Sequence, residues 1–141
     1  MQMTVKLKQI DGLALAALGN SNHWVTMGAP LELGGFGAGS RPMEVVLMGI
    51  AGCATMDIIA ILKKKRVNLK KFDLRVEAER AEEHPQVFTQ IDFHYTFYGT
   101  GIQSKDIDRA IDLTDSKYCG ATAMIKSTVT VNYHYEIVAA E

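Results

Sequence analysis

The chain has 141 residues, of which 48% are hydrophobic, and a formal net charge of −1. This length and apolar content suit one domain with a core of its own, and no linker divides residues 1–141. The basic residues do not gather into one patch, so we predict no nucleic-acid partner. The two cysteines form no disulfide framework, which leaves buried free thiols or redox chemistry.

The N-terminal segment is predicted to be extended and then irregular. Hairpin turn signals, DG and GNSN, separate three short extended runs at 4–9, 13–18 and 23–27. The glycine-rich stretch GGFGAGS then predicts a loop over residues 28–40. The opening residues alternate apolar and polar side chains and carry no secretory signal, so we expect a cytoplasmic protein.

A long apolar helix is predicted from an N-cap at Ser40 to about Lys65. Glu44 places a carboxylate near the positive end of the helix dipole. Apolar residues lie nearly all the way round the helix, which predicts burial on several sides. The run 45–62 approaches the length of a membrane span, but it contains Asp57 and has no second hydrophobic segment to pack against. We therefore expect a buried helix and no membrane partner.

The second half of the chain mixes strands and helices. Alternating apolar and polar residues predict an antiparallel hairpin, with strands over 69–80 and 86–98. Helical periodicity follows over 104–113, and a shorter helix is predicted from about Ser116 to Lys126. A last strand is predicted over 128–138.

The two cysteines lie in different settings, 66 positions apart. Cys53 lies in AGCATMD on the long helix, and Cys119 lies in SKYCGATAM near the start of the shorter one. Their small neighbours permit close approach of the two segments, although a cysteine among Ala and Gly also fits inert packing. Local sequence favours a thiolate at Cys119, near a helix start and Lys117, because Cys53 is about three turns from its own helix start.

The remaining candidates point to other roles. Asp57 follows Cys53 by one turn on the same face, and because a carboxylate disfavours a neighbouring thiolate we expect a hydrogen-bonding or interface role for it. The four histidines are scattered, with no spacing typical of a metal motif, so we predict no metal and no cofactor. The loop GGFGAGS lacks the Lys-Ser or Lys-Thr of a phosphate-binding loop.

Two motifs carry a family resemblance. The stretch SRPMEVVLMGIAGCATMDIIAIL resembles the central-helix signature of the OsmC/Ohr family, and KYCGATAM resembles that family's second cysteine motif. The order of elements is similar over nearly the whole chain, and the Pro-Met-Glu helix start is closest to the YhfA-like branch. The resemblance implies an α+β, OsmC-like fold with antiparallel sheets around a long buried central helix. It also implies an interlocked homodimer with active sites where the subunits meet.

The implied activity is a stress-response thiol peroxidase that reduces organic hydroperoxides. By this resemblance, Cys53 would attack the peroxide and become a sulfenic acid. Cys119 would capture the sulfenic acid by forming a disulfide, and a dithiol reductant would restore both thiols. Arg41 and Glu44 are the further catalytic candidates. Met43 stands where the family's peroxidases have their glutamate, and Arg41 is the only arginine among the first 41 residues.

Two other functions fit the same residues. The fold could serve as a non-peroxidatic small-molecule binding module, or as a redox sensor that forms the disulfide without efficient turnover. The distinguishing feature is a cation near Cys53, supplied by Arg41 or, from elsewhere in a dimer, by Arg75 or Arg80. A wholly apolar surround would favour the binding module.

Overall fold

A computed structural model describes every residue from Met1 to Glu141. The chain divides into two compact units, residues 1–49 and 50–141. The long helix α1 (Pro42–Lys64) begins in the first unit and ends in the second. The architecture is α+β, as predicted, with two separate sheets and three α-helices.

The first unit is built on an antiparallel sheet of three short strands in the order β1-β2-β3, as the turn signals predict. The strands are β1 (Lys6–Asp11), β2 (Ala14–Leu18) and β3 (Trp24–Gly28). The predicted loop that follows contains one 3₁₀ turn at Leu31–Leu33. Gly35 approaches the backbone of Ala29 so closely that no side chain would fit there.

The start of α1 differs by one residue from the predicted cap. Pro42 is the first helical residue, so Arg41 and not Ser40 takes the preceding position. The backbone N–H of Arg41 donates a hydrogen bond of 2.8 Å to Oε2 of Glu44. Glu44 therefore satisfies one of the donors that a helix start leaves without an intrahelical partner.

Within the single chain, helix α1 is buried along one stripe, so this chain alone does not complete the predicted burial on several sides. Its buried residues recur at helical spacing: Ile50, Ala54, Thr55, Ile58 and Leu62. The other faces of the helix expose large apolar side chains, including Met48 at 58% and Met56 at 76% exposure. One chain has too few elements to surround a helix of this length. By length and composition alone, α1 could also cross a membrane.

The second unit holds a sheet in the order β4-β5-β6, with β4 (Leu69–Arg80), β5 (Phe88–Gly99) and β6 (Thr130–Ala139). The β4–β5 hairpin is antiparallel, as predicted. Strands β5 and β6 are parallel, which corrects the expectation of purely antiparallel sheets. The helices between β5 and β6 return the chain to the same end of the sheet, and parallel neighbours require such a crossover.

The crossover contains α2 (Ser104–Leu113), a π-helical turn (Thr114–Tyr118) and α3 (Gly120–Ile125). Helix α2 has the predicted bounds, whereas α3 starts at Gly120 and not near Ser116. Alternate residues of β5 supply the core, together with α1 and α2. The fully buried apolar side chains of this unit are Ala54, Ile58, Leu62, Ile91, Phe93, Phe97, Ile107 and Ala110.

Candidate active site

The second unit brings the two cysteines together. Sγ of Cys53, Sγ of Cys119 and a carboxylate oxygen of Asp57 all lie within 4.8 Å of one another. Both cysteines are free thiols; Cys53 is half-buried, whereas Cys119 is only 2% exposed. Since a disulfide has a sulfur–sulfur length of about 2.05 Å, a movement of less than about 3 Å would join the two.

Backbone hydrogen bonds hold Cys119 on both sides. Its N–H donates to the carbonyl of Thr114 at 2.9 Å, and its carbonyl accepts from the N–H of Ala123 at 3.0 Å. Its Sγ accepts from the N–H of Thr122 at 3.4 Å. Cys119 is therefore the N-cap of α3. The sequence predicts Cys119 within the first helical turn, so its observed position lies just before the predicted one.

The electrostatic setting of Cys119 contradicts the local sequence prediction. Burial raises the pKa of its thiol, and the neighbouring Cys53 raises it further. The hydroxyl and the N–H of Thr122 act in the opposite direction and lower this pKa. The sequence suggested a stabilised thiolate because it showed a helix start and a lysine, but it could not show how deeply the sulfur is buried.

Thr122 is a site residue that the sequence did not reveal. Its side chain is fully buried beside Cys119, and its Oγ1 has no hydrogen-bond partner of ordinary geometry. A buried hydroxyl without a partner costs free energy, and a thiolate would be an acceptor for its proton. The spacing of three residues after Cys119 at a helix N-cap is the sequence signal that could have identified Thr122.

Asp57 is half-buried and makes neither a hydrogen bond nor an ion pair within the chain, so the hydrogen-bonding role predicted for it is not found. Its side chain lines a pocket of about 270 Å³. The rest of the wall is mostly apolar: Ala60, Ile61, Lys64, Leu113 and Tyr118. The pocket therefore opens beside a carboxylate that lies close to both sulfurs.

Two tyrosines, the buried Tyr95 and the half-buried Tyr133, lie near Cys119. Oη of Tyr95 shares a buried hydrogen bond of 2.8 Å with Oγ1 of Thr55, and burial raises the pKa of Tyr95 to about 12. Oη of Tyr133 donates to Oδ1 of Asp115 at 3.4 Å, and burial together with Asp115 raises the pKa of Tyr133. Charge on Cys119 would also raise both tyrosine pKa values, although burial is the larger cause for each.

The contacts of Arg41 and Glu44 lie within the first unit. Nη1 of Arg41 donates to the carbonyls of Gly28 and Gly39, each at 3.1 Å. The carboxylate of Glu44 accepts from the N–H of Arg41. These contacts hold the start of α1 in place. Of the guanidinium nitrogens of Arg41, only Nη1 takes part in them.

Arg75 and Arg80 have partners on the sheet. Nη2 of Arg75 pairs with Glu77 at 3.3 Å, and the Arg75 side chain is 71% exposed. Nε of Arg80 donates to the carbonyl of Gln86 at 2.8 Å. Within the chain, the contacts of these two arginines therefore belong to β4 and the turn that follows it.

The cluster of Cys53, Asp57 and Cys119 is also a set of possible metal ligands. Thiolates and carboxylates are ligand types that Zn²⁺ uses in proteins. The sequence prediction of no metal rested on histidine spacing. Histidine spacing gives no information about a set assembled from two distant cysteines and an aspartate.

Known proteins are similar to this chain over nearly its whole length. The model of the family described as OsmC-like protein matches residues 35–134. Protein YhfA of Escherichia coli K12 is 34% identical over 141 residues, covering 98% of this chain and 100% of YhfA. A crystal structure of a protein from Aquifex aeolicus VF5 is 26% identical with a TM-score of 0.88, covering 100% of this chain and 99% of that one.

A crystal structure of an organic hydroperoxide resistance protein OsmC from Legionella pneumophila shares the fold. Its TM-score is 0.71 at 16% identity, covering 96% of this chain and 97% of that chain.

Proposed function

The chain belongs to the OsmC-like protein family, and we propose that it is a thiol-dependent peroxidase that reduces organic hydroperoxides. One observation carries the proposal: two free thiols from distant segments have their sulfur atoms within 4.8 Å of each other. The Legionella protein of the same fold is named for resistance to organic hydroperoxides, which supports this choice of substrate class.

Cys53 is the proposed attacking residue because it is the more exposed of the two cysteines. Its thiolate sulfur attacks one peroxide oxygen, the O–O bond breaks, and the leaving alkoxide takes a proton to depart as an alcohol. The sulfur is oxidised to a sulfenic acid, and the peroxide is reduced by two electrons.

Cys119 is the proposed resolving residue because its sulfur lies within reach of that sulfenic acid. Its sulfur attacks Sγ of Cys53, the S–O bond breaks, and the departing hydroxide takes the thiol proton to leave as water. The N–H and the buried hydroxyl of Thr122 can donate to the negative charge that develops on Cys119. A dithiol reductant then transfers two electrons to the disulfide and is itself oxidised.

The pocket beside Asp57 is the proposed site for the organic group of the peroxide. Ala60, Ile61 and Leu113 give it an apolar wall, and about 270 Å³ suits a small organic molecule better than hydrogen peroxide. This pocket supports an organic hydroperoxide as substrate.

A homodimer is part of the proposal. The large apolar side chains that α1 exposes, among them Val46, Met48 and Met56, would be covered by a second copy. We propose a cytoplasmic location, because a disulfide that must be reduced in every cycle needs a reducing compartment.

Arg41 and Glu44 are proposed site residues on the family resemblance alone. Replacing Arg41 by Met removes the guanidinium charge, and replacing Glu44 by Gln keeps the size of the side chain. If both variants form the Cys53 sulfenic acid at the wild-type rate, these residues act only on the helix start.

A redox sensor is the second candidate, and Asp57 favours it. Its carboxylate lies within 4.8 Å of both sulfurs, and a negative charge disfavours the ionisation of a neighbouring acid. The pair would then form a disulfide slowly, without efficient turnover.

The test is consumption of cumene hydroperoxide and of hydrogen peroxide with several dithiol reductants. We expect repeated turnover with cumene hydroperoxide and a lower rate with hydrogen peroxide. One turnover followed by a stable disulfide would support the sensor. Absence of any reaction would leave the small-molecule binding module.

A further inference from the structure

The cysteine pair and Asp57 form a set of three potential metal ligands within the second unit. The two sulfurs and the carboxylate oxygen all lie within 4.8 Å of one another. Asp57 lies one helical turn after Cys53 on α1, and Cys119 reaches them from the start of α3. Two soft sulfur donors and one oxygen donor suit Zn²⁺ better than Mg²⁺ or Ca²⁺, which prefer oxygen donors alone.

The distances suit a tetrahedral ion after a small contraction. With Zn–S near 2.3 Å and Zn–O near 2.0–2.2 Å, neighbouring ligand atoms in a tetrahedral shell lie roughly 3.5–3.8 Å apart. The three atoms here are separated by no more than 4.8 Å. A shift of about 1 Å, within the range of side-chain rotation, would bring them to these separations.

The charges of the cluster also favour a cation. Asp57 is half-buried and has no ion pair in the chain, and its carboxylate lies within 4.8 Å of two thiol sulfurs. Ionising the thiols would gather three negative charges in one place, which is unfavourable without a counter-charge. A divalent cation would offset most of that charge.

A second observation independently supports a charged ligand at Cys119. Oγ1 of Thr122 is fully buried without a hydrogen-bond partner, and the N–H of the same residue donates to Sγ of Cys119 at 3.4 Å. Hydrogen-bond donors behind a ligating atom orient it and tune the metal. Thr122 provides two such donors to a metal-bound thiolate.

Of the three groups, Asp57 lines a pocket of about 270 Å³, whose wall also includes Lys64. Three protein ligands leave the fourth tetrahedral position to water, the arrangement of an open zinc site.

From this geometry we propose that the reduced protein binds one thiophilic divalent cation per chain through Cys53, Asp57 and Cys119. Sγ of Cys53 then either binds the cation or attacks the peroxide, but not both at once. The site requires only the reduced thiols and the carboxylate, so it does not depend on peroxidase activity.

The test is an anaerobic titration of the reduced, chelator-treated full-length protein with Co²⁺, followed by displacement with Zn²⁺. We expect one Co²⁺ per chain, with sulfur-to-cobalt charge-transfer absorption and the visible bands of tetrahedral Co²⁺. The absorption should disappear when Zn²⁺ is added. Failure of the wild-type protein to bind one Co²⁺ with these bands would overturn the proposal, whatever the peroxide assay gives.

Variants distinguish this three-ligand site from non-specific metal binding by the two thiols alone. Asp57→Asn should weaken Co²⁺ binding at least about tenfold, and Cys53→Ser or Cys119→Ser should reduce the charge-transfer band. The matched control is Asp112→Asn, which removes an exposed carboxylate of α2 and should leave the affinity unchanged. Circular dichroism checks that each variant is folded. Equal affinities of wild type and Asp57→Asn would exclude the three-ligand site.

Discussion

Cys53 and Cys119 have their sulfur atoms within 4.8 Å of each other, although 66 positions separate the two residues in the sequence. Both are free thiols, and the backbone of Cys119 is held by hydrogen bonds on both sides. A sulfenic acid on Cys53 would therefore meet the second thiol without unfolding of either segment.

The first prediction concerns the disulfide. One equivalent of cumene hydroperoxide should remove both thiols and leave a disulfide within one chain, because the two sulfurs already lie close together in the same unit. Intact-mass spectrometry would show the loss of two hydrogens, and a non-reducing gel would show no covalent dimer. A covalently linked dimer as the main product would contradict this pairing.

The second prediction concerns Thr122. In a Cys53→Ser background, Thr122→Val should raise the pKa of Cys119 further, because the hydroxyl of Thr122 lowers it. The thiolate would then appear at higher pH when its ultraviolet absorbance is followed. Stability should not fall and should rise slightly, because the substitution removes a buried hydroxyl that has no hydrogen-bond partner.

The matched control for this prediction is Thr114→Val. Thr114 also has a fully buried Oγ1 without a partner, but its hydroxyl has no effect on the pKa of Cys119. Equal effects of the two substitutions would mean that the titration responds to packing and not to the Thr122 hydroxyl.

The third prediction concerns Tyr95. Its pKa is raised from 10.0 to about 12 by burial, so the folded state keeps the neutral phenol where the unfolded chain ionises. This contribution to stability is complete below pH 10 and is lost as the pH rises from 10 to 12. The loss is at most about 2–3 kcal/mol.

Tyr95→Phe tests this linkage. At pH 8 the variant should lose about 1–3 kcal/mol, because the hydroxyl of Thr55 loses its buried partner. Urea unfolding under reducing conditions should show that the difference between wild type and variant narrows above pH 10. A difference that stays constant up to pH 12 would argue against the raised pKa.

The fourth prediction concerns the homodimer. Met56 is 76% exposed on an apolar helix, so Met56→Glu should shift the protein from dimer to monomer in sedimentation velocity at low micromolar concentration. Val87→Glu, at a 51% exposed position in the turn before β5, is the control and should leave the dimer intact. A wild-type protein that sediments as a monomer would exclude the dimer.

Much of the second unit could be predicted from sequence pattern. The bounds of β4 and α2 agree with the prediction because each has one apolar face, with a period of 2.0 or 3.6 residues. Of the alternate residues that the pattern places on one face of the predicted strand that corresponds to β5, Ile91, Phe93, Tyr95 and Phe97 are buried, whereas Val87 lies before β5 and is 51% exposed. These features depend on local periodicity, which a single sequence records.

The features that could not be predicted depend on tertiary contacts. The parallel pairing of β5 and β6 depends on where the crossover returns the chain. The raised pKa of Cys119 depends on burial by segments distant in sequence, and this burial outweighs the favourable helix start. The joint proximity of Asp57 to both sulfurs likewise required the placement of α3 beside α1.

Dimedone trapping after a single addition of cumene hydroperoxide shows which of the two sulfurs reacts first. In Cys119→Ser, we expect a sulfenic acid to accumulate on Cys53 and to be labelled by dimedone, because the resolving thiol is gone. In Cys53→Ser, we expect no adduct and no peroxide consumption, because Cys119 is buried and its pKa is raised. An adduct on Cys119 of Cys53→Ser, formed as fast as the wild-type protein consumes peroxide, would contradict the assignment.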